Sequence, residues 1–343
     1  MRRSRLAGKL AARGRRRLDT WKLAREMRVL SGPNHVTLAE NEVALVMLGR
    51  NVAYYLRDFY DYHMALGVRH FLYIDNGSED GSAEIAAALP DTTVVSTGAD
   101  FATRESMMRR TAMQRFLSGG WRLALDSDEI LDYPGRETLS LPELARRMDR
   151  AGYTGLVGQM LECVSDAPLS SVQDAPFSEV RRTHTLCSVE DITAVPYHSD
   201  AIRLGYHLRQ NRLTSDAVQV LFGGLRRTLF GEECCLTKHP FFKPSAGVVP
   251  MVHPHVTTGL TIAPASVLIR HYKFAGGVLQ RERDYISKGA VAGGEVLLRA
   301  SRLETAPEMT LTVPGMLDAP GIEELFEKDF LAMTAAGRPL FAA

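Results

Sequence analysis

The stretch Trp121-Arg122-Leu123-Ala124-Leu125-Asp126-Ser127-Asp128-Glu129-Ile130-Leu131 decides how this chain reads, because an apolar run ends there in three acids. Side chains of an extended chain alternate between faces, so Asp126 and Asp128 point together while Ser127 points away. Two converging carboxylates suit a hard divalent cation such as Mg2+ or Mn2+, which takes oxygen ligands and keeps positions open for substrate phosphates. The pattern is short. Acids followed by Tyr133-Pro134-Gly135 also serve simply to close a strand in a turn. The flanking segments decide between these readings.

Upstream, Val36-Thr37-Leu38 reads as a first strand, interrupted by Ala39-Glu40-Asn41-Glu42. From Val43 to Leu66 the apolar residues Leu45, Val46, Leu56, Phe59, Tyr60, His63 and Met64 recur at roughly helical spacing, with Gly67 as the stop. Val68 to Ile74 is a second strand, closed by the dense turn signal Asp75 to Ser82, and Thr92 to Ser96 is a third. A helix over 104–118 leads into the strand ending at Asp126. Strands alternating with helices imply a parallel sheet covered by helices, whose ligands bind beyond the carboxyl ends of the strands. The polar clusters Asn41-Glu42, Asp75 to Asp80 and Asp126 to Glu129 all fall at such ends in this reading.

Farther along, a helix over 142–151 and a strand over 156–164 precede an irregular section, 165–220, with Pro168, Pro176 and Pro196, which reads as acceptor-side loops. Val267 to Arg270 is a late strand, followed by His271-Tyr272-Lys273-Phe274. The chain has 343 residues, 45% hydrophobic and 24% charged, with a net charge of +1, which excludes a disordered chain and gives no nucleic-acid signature. No run of about eighteen apolar residues exists to span a bilayer. Cys163, Cys187, Cys234 and Cys235 match neither a disulfide framework nor a paired zinc pattern, so buried thiols in a reducing cytoplasm are expected.

Charge is uneven. Residues 1–30 carry eleven Lys/Arg against Asp19 and Glu26, a net of +9, so the remainder carries −8. This arm is expected as a solvated basic segment or as a contact to an anionic membrane surface, which would make the protein peripheral to the inner face of the cell membrane.

Several blocks now coincide in order: Asn41-Glu42 before a helix; Tyr73-Ile-Asp75-Asn76 with Ser78 and Asp80-Gly81-Ser82; Trp121 to Glu129; Gly223-Gly224 with Arg226-Arg227; Leu236-Thr-Lys238 with Pro240; and Leu268-Ile with His271-Tyr-Lys273-Phe274. This ordered set resembles glycosyltransferases of the GT-A fold, of the family 2 and family 92 type, over about residues 35 to 285. The resemblance implies an α/β, GT-A (Rossmann-like), mostly parallel sheet with helices on both faces and an irregular acceptor-side C-terminal half. It divides the chain into a basic arm (1–34), a transferase domain (35–285, in halves 35–135 and 136–285) and a helical tail (286–343).

The function implied is transfer of a sugar from a nucleotide-sugar donor to a saccharide or lipid-linked acceptor, dependent on Mn2+ or Mg2+, with inversion. The residues that match give Asp128 as a direct metal ligand, Asp126 as a ligand or a contact to the ribose, and His271 as a third ligand with His255 competing. Asn41, Glu42, Asp75, Asp80, Arg110 and Lys273 fall on the donor side, although Asn76, Ser78 and Asp80 equally serve to build their turn. Glu129 either orients the loop or caps it. For the base that removes the acceptor proton, Asp166 is the first choice, ahead of Glu162 and Glu232-Glu233. Two rivals are a nucleotidyltransferase, against which stands the lack of a glycine-rich loop after the first strand, and a non-catalytic membrane-surface protein with a degenerate transferase fold.

Overall fold

A computed structural model describes residues 18–287 and 294–342, so the basic arm before Leu18 lies outside the described residues. Helical residues 18–26 (α1) lead into the edge strand β1 (Arg28–Ser31). Then β2 (Val36–Gly49), α2 (Ala53–Ala65), β3 (His70–Asp75), α3 (Ser82–Ala87), β4 (Thr92–Ser96), α4 (Phe101–Phe116) and β5 (Leu117–Ala124) alternate as expected. After the Asp126–Asp128 turn come β6 (Glu129–Asp132), α5 (Leu141–Ala151) and β7 (Gly155–Glu162). The irregular section holds α6 (Phe177–Thr183), β8 (Leu186–Cys187), β9 (Ile192–Pro196), α7 (Gly205–Leu208), β10 (Arg212–Leu213), β11 (Gln219–Gly223) and α8 (Leu225–Phe230). Strand β12 (Thr237–Phe242), the hairpin β13 (Val249–His253) and β14 (Val256–Thr258), and the long β15 (Thr261–His271) follow. Beyond them lie α9 (Val278–Ser287), α10 (Gly294–Thr305), β16 (Leu317–Asp318) and α11 (Ile322–Glu327).

The central sheet has ten strands in the order β1-β4-β3-β2-β5-β12-β7-β15-β10, with β6 also paired to β15. Strands β4, β3, β2 and β5 are parallel, as are β7, β15 and β10; β12 runs antiparallel between the two sets. Helices cover both faces because successive residues of β2 point opposite ways. Val43, Leu45 and Met47 meet Leu56 and Phe59 of α2 and Leu144 and Met148 of α5. Ala44, Val46 and Leu48 meet Met108, Ala112 and Phe116 of α4, with Leu23 and Met27 beside them. The expected mostly parallel α/β, Rossmann-like sheet is therefore present.

One element differs from expectation. The helix read from Val43 begins only at Ala53, and Val43 to Gly49 continue β2. This strand is central and buried on both faces, so its apolar run is continuous and carries no alternation to distinguish it from a helix. The tail is also more than helical: Phe330, Leu331, Leu340 and Phe341 pack into the main core.

His63 of α2 is fully buried, with Nδ1 2.8 Å from the Phe59 carbonyl and Nε2 accepting the Leu131 N–H at 3.3 Å. A ring that donates at one nitrogen and accepts at the other is neutral, and burial pushes its pKa down to about 3. The lowered folded pKa makes its stability contribution complete above the unfolded value near 6.5, and that contribution is lost as pH falls from there toward 3. Relative to His63→Gln, the unfolding free energy should therefore drop by about 1.4 kcal/mol per pH unit across that window. Urea unfolding at stepped pH measures this difference; parallel slopes for the two proteins would refute it.

Candidate functional site

The topology itself assembles the site. The chain leaves β5 at Ala124 and returns as β6 on the side of β15 away from β7, with His271 opposite Glu129. Asp126, Ser127 and Asp128 bridge the two strands as a tight turn, in which the Glu129 N–H donates to the Asp126 carbonyl at 3.2 Å. Because β12 is reversed, its first residues sit at this same end. Lys238 of β12, Glu162 at the end of β7 and His271 at the end of β15 therefore converge beneath the bridge.

Their charges fall into two linked groups. Lys238 Nζ lies 2.6 Å from Asp126 Oδ2 and 2.5 Å from Glu129 Oε1, while Arg109 of α4 holds Asp126 Oδ1. Glu129 also accepts the Asp126 N–H at 2.9 Å, tying the turn to itself. Burial pushes Asp126 upward, but Lys238 and Arg109 outweigh it and hold the carboxyl well below the usual range. Glu129 goes the other way, raised by burial despite Lys238.

In the second group His271 stands between two acids, Nδ1 at 3.1 Å from Glu162 Oε1 and Nε2 at 3.5 Å from Asp128 Oδ2. Burial alone would neutralise the ring, yet Glu162 and Asp128 raise its pKa to about 10, so it is an imidazolium. Asp128 is pushed up by burial and pulled below the carboxylate range by His271, with Lys273 adding to the pull. Behind it runs a buried chain of ion pairs: Glu162 to Arg226 Nε at 2.7 Å, Arg226 to Glu232 at 3.3 Å, then Glu232 to Arg299 and Arg299 to Glu282. Glu162 Oε2 is buried without a hydrogen-bond partner.

Among the described residues no three His, Cys, Asp or Glu side chains gather to hold a metal ion. Two can. An octahedral ion with ligands at about 2.1 Å places adjacent donors about 3 Å apart, close to the Asp128–His271 spacing. Such a two-donor site, with its other positions left to water and phosphate, suits Mg2+ or Mn2+. The ion would displace the proton from His271 Nε2, while Glu162 keeps the Nδ1 proton and the ring orientation. Asp126 is not an open ligand, since both its oxygens are taken by Arg109 and Lys238.

Other expected residues fall elsewhere. Asn41 and Glu42 lie at a register shift within β2, about 25 Å of strand before Gly49, at the opposite end of the sheet. There Glu42 accepts the Ala39 N–H, and Asn41 Oδ1 is buried without a partner. The loop that does follow β2 at the site end is Arg50-Asn51. Asn51 Oδ1 accepts the Glu79 N–H at 2.8 Å, and its own N–H reaches Ser78.

Asp75 is at the right strand end but serves its own turn, accepting from Tyr73 Oη and from the N–H groups of Gly77 and Ser78. Asp80 is likewise structural: Oδ2 accepts the Ala53 N–H at the start of α2, and Oδ1 accepts from Ser82. In α4 it is Arg109, not Arg110, that meets Asp126, because one residue is about 100° of helix turn. Arg110 is half-buried. Asp166 is exposed in the loop beyond β7, and the carboxylate at the site is Glu162. Lys273 stands two residues past His271, half-buried. His255 is half-buried with Nδ1 3.1 Å from the Thr237 carbonyl, on the Lys238 side.

Beside this cluster a cavity of about 430 Å3 opens along the two-stranded β9–β11 sheet, lined by Thr193, Val195, Phe222, Arg227 and Glu233. Consecutive arginines of α8 divide the two regions: Arg226 turns in to Glu162, and Arg227 turns out to Glu233 at 2.5 Å in the cavity wall. No family model matches the chain, and no curated protein is significantly similar to it.

Proposed function

We propose that the chain is a metal-dependent glycosyltransferase that moves a sugar from a nucleotide-sugar donor to a saccharide or lipid-linked acceptor. The observation that carries this reading is the Asp128–His271–Glu162 line at the carboxyl ends of β5, β7 and β15, where an open α/β sheet places its ligand. Asp128 and His271 are the pair to hold Mn2+ or Mg2+, and the bound ion would neutralise charge developing on the departing diphosphate.

The chain's own residues supply the rest. Glu162 orients His271 through Nδ1, and Lys273 adds positive charge beside Asp128 for the phosphates. Lys238 and Arg109 hold the turn so that Asp128 keeps its place with or without ligand. The cavity along β9–β11 is the space for the acceptor.

The test is a thermal-shift panel of UDP-, GDP-, CDP- and TDP-sugars, each with Mn2+ and with a chelator. Donor binding should raise the melting temperature by mass action, about 2.7 kcal/mol of stabilisation at a hundredfold excess over Kd, and only with the metal. A panel with no metal-dependent shift for any donor would refute the reading.

A further inference from the structure

Helix α1 is docked by one face and bare on the other. Leu23 and Met27, four residues apart, are buried against the sheet, 0% and 1% exposed. Arg115 donates to the Met27 carbonyl, and Glu26 accepts from Thr97, so the orientation is pinned. The outward stripe at i, i+3, i+4 and i+7 is Leu18, Trp21, Lys22 and Arg25. Leu18 is 49% and Trp21 54% exposed, with the Arg25 guanidinium 4.8 Å from the Trp21 ring centre.

We propose that this face of α1 docks on an anionic phospholipid bilayer. Three observations converge on that partner. A half-exposed tryptophan beside basic side chains is the composition that rests at a headgroup boundary, ring in the interface and charge toward phosphate. The sequence before the helix adds eight Lys/Arg and no acid over residues 1–17, while the rest of the chain is net negative, so attraction to an anionic surface is local to this end. Phe101, at the start of α4 and three residues past the Gly98 that lies against Glu26, is exposed as well.

The register gives the docking a direction. Arg28 pairs with Ser96, and Ser96 pairs with Asp75, so the three lie in one row across β1, β4 and β3. Because β1 is antiparallel, α1 joins it at that row, on the carboxyl side of the sheet, and packs its buried side with the α4 face. Docking through α1 thus brings this edge of the sheet, on its carboxyl side, to the lipid surface. Joined to the transfer reading, on which this clause alone rests, that makes a lipid-linked acceptor the expected one.

The experiment uses the full chain with phosphatidylcholine vesicles, with and without about one-third phosphatidylglycerol. The chain has two tryptophans, and Trp121 is fully buried, so a change in emission reports Trp21. Expected are a blue shift and co-flotation with the anionic vesicles only, both weakened by salt, and a loss of about tenfold or more in binding for Leu18→Ser/Trp21→Ser and for Lys22→Glu/Arg25→Glu. Inorganic phosphate or soluble heparin should give no blue shift. The proposal is overturned if neither vesicle binds, if both bind equally, or if anionic vesicles bind the two α1 variants as tightly as the parent. Circular dichroism of the variants confirms that the fold is kept, and none of these outcomes depends on whether sugar transfer is observed.

Discussion

Lys238→Met lowers the unfolding free energy by about 3–5 kcal/mol. Lys238 is 4% exposed and joins two acids, one of which, Glu129, is 1% exposed. Truncating the ammonium leaves both carboxylates without this partner, and uncompensated buried charge is the costly half of a broken buried pair. Arg109 still serves Asp126, which is a third exposed, so the larger cost falls on Glu129. That group is already raised by burial, and without Lys238 it takes up a proton. The loss should accordingly be smaller in mild acid than at neutral pH. Lys243→Met is the comparison: its ammonium pairs with Asp149 at 2.8 Å and with the exposed Glu40, at a partly solvated site where about 0–1 kcal/mol is expected. Urea unfolding of the two variants at two pH values measures this; equal, small losses would mean that Lys238 does not hold the acidic turn.

The same lysine shows what the sequence made legible and what it left hidden. Asp126, Asp128 and His271 stand out because each ends an apolar run, and strand ends of a parallel sheet gather on one side. Their partners carry no such mark. Lys238 reaches the acids only because β12 is antiparallel, a reversal that apolar patterning does not record. Arg109 and Arg110 are equivalent until the rotation of α4 is known. Asp166, just past the strand expected over 156–164, is the first choice of base from the sequence, yet Glu162 is the strand end that faces His271. Asn41-Glu42 reads from the sequence as a strand end although the strand runs on to Gly49, since a strand buried on both faces shows no period. The strand–helix alternation of the parallel half is legible apart from the length of β2; the reversed strand and its consequences at the site are not.

Asp128→Asn should abolish the manganese-dependent part of donor stabilisation and, on the proposed transfer, reduce turnover on the order of 10²–10³-fold, the scale of removing one preorganised electrostatic contact. The fold should survive, because among the described residues the one ion pair of Asp128 is with His271, at 3.5 Å, and its backbone carbonyl still accepts the Tyr272 N–H at 2.8 Å. The informative contrast is Asp126→Asn. Asp126 is the binding partner of Arg109 and Lys238, so its loss should lower stability while leaving a metal-dependent donor shift in place. Glu162→Gln separates positioning from ligation: it touches no ion, but it removes the carboxylate that holds His271 Nδ1, and outer-shell changes of this kind weaken metal affinity by about 10–100-fold. Manganese titrations of the three variants, read by donor-induced melting shift, therefore order the acids by role. If Asp126→Asn lost the metal response and Asp128→Asn kept it, the ion would belong on the Arg109–Lys238 side of the turn, and His271 would be a structural imidazolium between two carboxylates.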